Sequence, residues 1–130
     1  MMNSLFIGDL KDMSQEEVIE HIKSDYINGE KNESENINKL ECFDVLIAYE
    51  SVGSWGCDSS SFFLFKRRSD GALFENHGSH CSCYGFEGQF SPEETNLEYL
   101  NSDKFYFYTG GYDEDSSNNE NLVSEFIAKL

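Results

Sequence analysis

SFFLFKRRSDGALFEN, residues 61–76, decides the fold. Two runs rich in aromatic and aliphatic residues, 61–68 and 72–76, flank Ser69-Asp70-Gly71. Asp-Gly between apolar runs is a strong hairpin signal, because glycine accepts the positive φ that a tight turn demands. The stretch therefore predicts a β-hairpin. Upstream, CFDVLIAYE (42–50) is β-branched and aromatic and predicts a strand with few exposed positions. SVGSWGCDSS (51–60) reads as the glycine-serine loop between them. Downstream, KFYFYTGG (104–111) alternates aromatics as a strand does.

The helices have their own signatures. Ser14 followed by Glu17 forms a capping box, each satisfying the other's backbone donor. Val18, Ile19, Ile22, Tyr26 and Ile27 then recur at helical spacing and Gly29 ends the run, which predicts a helix over 15–28. EKNESENINK (30–39) is polar and aperiodic and reads as a loop. Ser91-Pro92-Glu93-Glu94 places a cap before a proline at the first helical position, predicting a helix that continues through Leu97 and Leu100. YDEDSSNNEN (112–121) reads as an acidic loop, and the apolar stripe Leu122, Val123, Phe126, Ile127 and Leu130 as a terminal helix docked on the sheet. No strand is expected before residue 15. The order predicts a single α+β domain over 1–130: a small, mainly antiparallel sheet around the 61–76 hairpin, with two or three helices packed on one face.

Charge narrows the function. Twenty-five Asp and Glu against nine Lys and Arg leave −16 on 130 residues, well beyond the magnitude of about 2–8 usual for a small soluble domain. Such a field repels nucleic acid and anionic membrane and attracts basic partners. Nucleic-acid binding would need a basic surface, and KRR at 66–68 is the only basic cluster. It reads as an edge of the hairpin, or as internally paired. No apolar run approaches the ~20 residues of a membrane span. The start MMNSLFIGDLKDM lacks an export signal, so the expected location is the cytoplasm, where Cys42, Cys57, Cys81 and Cys83 stay thiols or bind metal.

ENHGSHCSCYGFEGQF (75–90) carries most of the remaining chemistry. Three readings compete. Cys57, His77, Cys81 and Cys83 have the right ligand types for zinc, yet His77, His80, Cys81 and Cys83 crowd into seven residues instead of forming two separated pairs. Cys81 or Cys83 with His77 or His80 would make a thiol nucleophile, but no nucleophile signature surrounds them. The favoured reading is a packed loop without cofactor. In it Gly78, Gly85 and Gly88 set turns, the cysteines fill the space below, Tyr84, Phe86 and Phe90 anchor it, and His77 and His80 satisfy loop carbonyls. Asp113 to Asp115 lack the spacing of a calcium loop. P-loop, dinucleotide and hydrolase motifs are absent from the sequence.

SWGCDSSSFFLFKRRSDGALFENHGSHCSCYGFEGQFSPEET (54–95) resembles a segment of small hypothetical proteins encoded by bacteriophages and related mobile elements, most specifically over HGSHCSCYGFEGQFSPEET. The resemblance covers about a third of the chain and brings no established activity. It implies a phage-type accessory protein acting in the host cytoplasm. The expected function is a non-enzymatic inhibitor or modulator of a basic, nucleic-acid-binding host or defence protein, such as a CRISPR effector or a restriction enzyme. Glu16, Glu17, Glu20, Glu93, Glu94, Glu98, Asp113, Glu114, Asp115 and Glu120 would bind the partner, imitating a phosphate row. An immunity protein for a nuclease toxin shares that physics. A zinc-stabilised adaptor and a small Cys/His enzyme are the alternatives from other classes.

Overall fold

A computed structural model describes residues 4–51, 59–80, 85–105 and 114–130. Strands β1 (Leu5–Gly8), β2 (Phe43–Ser51), β3 (Ser59–Arg67), β4 (Leu73–His80) and β5 (Glu93–Thr95) form one sheet in sequential order. β1 runs parallel to β2, and the other pairs are antiparallel. A parallel pair needs a crossover of a dozen or more residues. Helix α1 (Gln15–Ile22), a π-helical turn (Lys23–Ile27) and helix α2 (Glu33–Glu41) supply it. After the sheet come a four-residue helix, α3 (Leu97–Leu100), and the terminal helix α4 (Glu114–Ala128). The fold is a small α+β arrangement, as the sequence predicts, with five strands among the described residues.

The hairpin forms where expected, with Phe65 opposite Phe74 and Lys66 opposite Leu73. Gly71 takes φ +76, the left-handed conformation for which the Asp-Gly pair argues. Both strands outrun the prediction, β3 starting at Ser59 and β4 ending at His80. Gly78 and His77 therefore sit in a strand and set no turn. Gly88, at φ +76, does turn the chain.

Side chains alternate across β3 and fill two cores. Phe63 and Phe65 join Val45, Ala48, Phe43, Val18, Ile22, Tyr26, Leu40, Phe86 and Phe90 on the face covered by α1 and α2. Phe62 and Leu64 join Ile7, Ile47, Tyr49, Leu100, Val123 and Ile127 on the face covered by α3 and α4. The helices are thus divided between both faces instead of gathering on one. This follows from β2 and β3, which are apolar at consecutive positions, the pattern of strands covered twice. Leu122 and Leu130, expected in the docked stripe, remain 43% and 42% exposed.

Four further local predictions give way to packing. Residues 33–41 are helical, because Leu40 is fully buried and Ile37 packs beside it. Two anchors suffice when a core receives them. Glu93–Thr95 pairs with Leu73–Glu75 as an edge strand in place of a helix start. Asn96 caps the short helix instead, accepting from the Tyr99 amide at 2.8 Å. Residues 114–121 belong to α4. β1 is an addition, its Leu5, Phe6 and Ile7 dividing between the two cores. Of the strand expected over 104–111 only Lys104 and Phe105 are described, and neither is in a strand.

Two glutamines close the ladders. Val45 pairs with Phe65 on one side, but β1 meets β2 only from Ile47 onward, and Gln15 bonds the Val45 backbone beyond that point. Its Oε1 accepts from the Val45 amide at 2.9 Å, and its Nε2 donates to the Val45 carbonyl at 2.6 Å. Gln89 treats Ser79 alike, accepting at 2.8 Å and donating at 2.7 Å. Each amide side chain acts as a peptide unit, meeting the demand that buried backbone groups be paired.

Candidate functional site

The densest polar chemistry lies where α1, the π-helical turn and the end of β2 meet. β2 runs apolar from Val45 to Tyr49 and then reaches Glu50, which faces the α1 side and is 6% exposed. Glu50 Oε2 lies 2.7 Å from His21 Nε2 and accepts the Tyr26 hydroxyl at 2.8 Å. On the other side of the imidazole, Nδ1 lies 3.5 Å from Asp25 Oδ2. The sequence places these groups simply. His21 and Asp25 are four apart on a helical surface. The wider π turn, closed by the Asn28 amide on the Lys23 carbonyl at 2.8 Å, seats Tyr26 over the strand.

Electrostatics follow from burial. The hydrogen bond to Glu50 raises the His21 pKa above its ordinary value against the opposing desolvation, and the charges of Glu50 and Asp25 add to it. Burial, with Glu50 close by, pushes the Tyr26 phenol far up, so it serves only as a neutral donor. Tyr26 also stacks on Phe86 with centroids 4.9 Å apart, which brings residues 85–90 over the same region. His21, Asp25 and Glu50 each offer a ligand atom, and these atoms lie within 4.8 Å of one another. They are the residues that could hold a metal ion among those described.

Nothing in the sequence reading singles out this cluster. Its signal is slight: a histidine and an aspartate at helical spacing, and one carboxylate closing an apolar strand. Twenty-nine residues separate His21 from Glu50, and only the crossover joins them.

The residues predicted from sequence are distributed otherwise. Glu16, Glu17 and Glu20 are exposed on α1, Glu93 and Glu94 on the β5 edge, Glu98 on α3 and Glu120 on α4. They occupy both helical layers and a sheet edge. Glu17 also accepts from the Ser14 amide at 3.1 Å, completing the predicted capping box. Glu114 and Asp115 stand at the start of α4, and Asp113 lies outside the described residues. So do Cys57, Cys81, Cys83 and Tyr84, three ligands of the alternative zinc set among them. The fourth, His77, projects from β4 beside Phe62, its Nε2 2.9 Å from Glu75 Oε1, and so meets a carboxylate where a loop carbonyl was expected. Phe86 and Phe90 are buried anchors, as predicted.

Both arginines of the basic cluster are paired internally. Arg67 makes two bonds to Asp70, at 2.6 and 3.0 Å, and lies 5.0 Å over the Phe74 ring. That bond and the Ala72 amide hold the Asp70 carboxyl down at about 2. Arg68 donates to Asp44 at 3.2 Å, to the Phe43 carbonyl at 3.0 Å and to the Glu41 carbonyl. Among the described residues no helix is long and apolar enough to cross a membrane.

Comparison with known proteins yields no match among family models, curated proteins or solved structures.

Proposed function

We propose that this chain is a phage-type, non-enzymatic modulator that docks on a basic, nucleic-acid-binding host or defence protein through exposed carboxylates. One observation carries the reading. The protein holds −16 while both arginines of its only basic cluster are tied to Asp70, Asp44 and backbone carbonyls. The exposed acids of α1, β5, α3 and α4 are therefore the groups presented to a partner. Carboxylates accept paired hydrogen bonds from arginine much as phosphates do, which suits them to a site that normally holds nucleic acid. Long-range attraction of this kind accelerates encounter and is screened by salt.

The test is capture of a partner from bacterial lysate on immobilised protein, then a salt series and a competition on the purified pair. Affinity should fall between 50 and 500 mM salt, roughly following screening, and DNA or RNA should displace the protein. Salt-insensitive binding without competition would place the interface on apolar surface and end the mimicry reading.

A further inference from the structure

We propose that His21, Asp25 and Glu50 form a binding site for a first-row divalent metal ion of the Mn2+/Zn2+ class. Three features support it together. The donors are one imidazole and two carboxylates with ligand atoms within 4.8 Å of one another, a set that suits such ions better than Ca2+, which takes six to eight oxygens. Glu50 is already desolvated, at 7% side-chain exposure, and its Oε2 is held by the Tyr26 hydroxyl at 2.8 Å. Metal ligands are oriented by such outer hydrogen bonds. Asp25 is 48% exposed on the solvent side, leaving an entry path and room for water to complete the coordination.

Between His21 Nε2 and Glu50 Oε2 the geometry needs little adjustment, whereas Asp25, on the Nδ1 side, must swing around the ring. An ion about 2.1 Å from an imidazole nitrogen and a carboxylate oxygen holds those atoms about 3 Å apart. His21 Nε2 and Glu50 Oε2 stand at 2.7 Å, so the ion replaces the shared proton with a shift of a few tenths of an ångström. The exposed Asp25 side chain then rotates from Nδ1 toward the ion. The π turn that carries Asp25 and Tyr26 is a rare backbone form, frequent at functional sites.

The test is calorimetric titration of the full chain with MnCl2 in 150 mM salt. Mn2+ favours carboxylate and imidazole over thiolate, so cysteines do not compete. One saturable site is expected. Asp25→Asn and His21→Gln should each weaken it at least ~10-fold, and Asp103→Asn, at an exposed acid after α3, should leave it unchanged. Absence of saturable binding overturns the proposal. Unaltered affinity in Asp25→Asn, or equal weakening by Asp103→Asn, overturns it as well. Should His21→Gln fail to fold, the exposed Asp25→Asn decides alone.

Discussion

Replacing Gly78 by alanine should destabilise the protein, although the backbone alone argues the reverse. Gly78 lies inside β4 opposite Ser61, and its φ is not among the positive ones. At such a position alanine ordinarily stabilises by about 0.5–1 kcal/mol, since glycine loses more entropy on folding. Here the added Cβ would fall on the Ser61 hydroxyl and stand 3.2 Å from both Phe86 Cδ1 and Gln89 Oε1. None of these can retreat easily. Ser61 is buried in the central strand, Phe86 is stacked on Tyr26, and the Gln89 amide is fixed by both of its bonds to Ser79. Overpacking of this sort costs about 1–3 kcal/mol. With a urea m-value of about 2 kcal/mol/M, the midpoint should drop by roughly 0.5–1.5 M. Ser61→Ala removes the nearest obstacle, so Gly78→Ala should cost less in that background, with a coupling of about 0.5–2 kcal/mol. A Gly78→Ala protein more stable than the parent, or a strictly additive double variant, would refute the close approach of residues 85–90 to β4.

Leu40→Ala should cost about 2–5 kcal/mol by chemical denaturation, because Leu40 is fully buried; a loss below about 0.5 kcal/mol would mean that residues 33–41 are the loop their polarity suggests. The second expectation concerns pH, in chelator-containing buffer. Because the folded pKa of His21 is raised, its contribution is fully present below about 6.5 and is lost as pH rises through the folded value. Thermal melts from pH 5 to 9 should therefore show a decline above neutrality that His21→Gln removes, and an unchanged profile in that variant would show that His21 and Glu50 are not coupled.

What the sequence discloses depends on where the deciding energy lies. The hairpin and the α1 cap are local. Asp70-Gly71 fixes the turn, and Ser14 and Glu17 satisfy each other within one helical turn, so both are legible from neighbouring residues. Residues 30–41 are not, since their helix depends on Leu40 and Ile37 reaching a core built largely from residues elsewhere in the chain. Ser91-Pro92-Glu93-Glu94 carries a sound helix-start signature, yet the free edge of β4 offers Glu93–Thr95 a ladder, and Asn96 caps just as well. Edge pairing outweighs a local signal worth about 1 kcal/mol. β1 is four residues long and exists because β2 accepts it in parallel. The His21 cluster is the extreme case. Each member has an ordinary local reading, as helix surface, core stripe or strand end, and only topology makes them one site.

The same topology arranges charge along β2. At its start, Arg68 is bonded to Asp44 and the Phe43 carbonyl, and Phe43 pairs with Arg67 across the sheet. At its far end Glu50 pairs with Ser61. Seven residues of strand separate these ends, about 23 Å at 3.3 Å per residue, nearly three Debye lengths at physiological salt. The arginines therefore do little to neutralise Glu50 and Asp25. That task falls to the proton on His21, or to a cation in its place. A carboxylate buried without such compensation would cost several kcal/mol, so the retention of Glu50 at the end of the apolar run Val45–Tyr49 depends on that occupant. The sheet thus has a neutralised basic end at the hairpin and an acidic end around His21, Asp25 and Glu50. On the two proposals made above, a dication would be drawn to the second end and a basic protein surface to the exposed acids of α1 beside it.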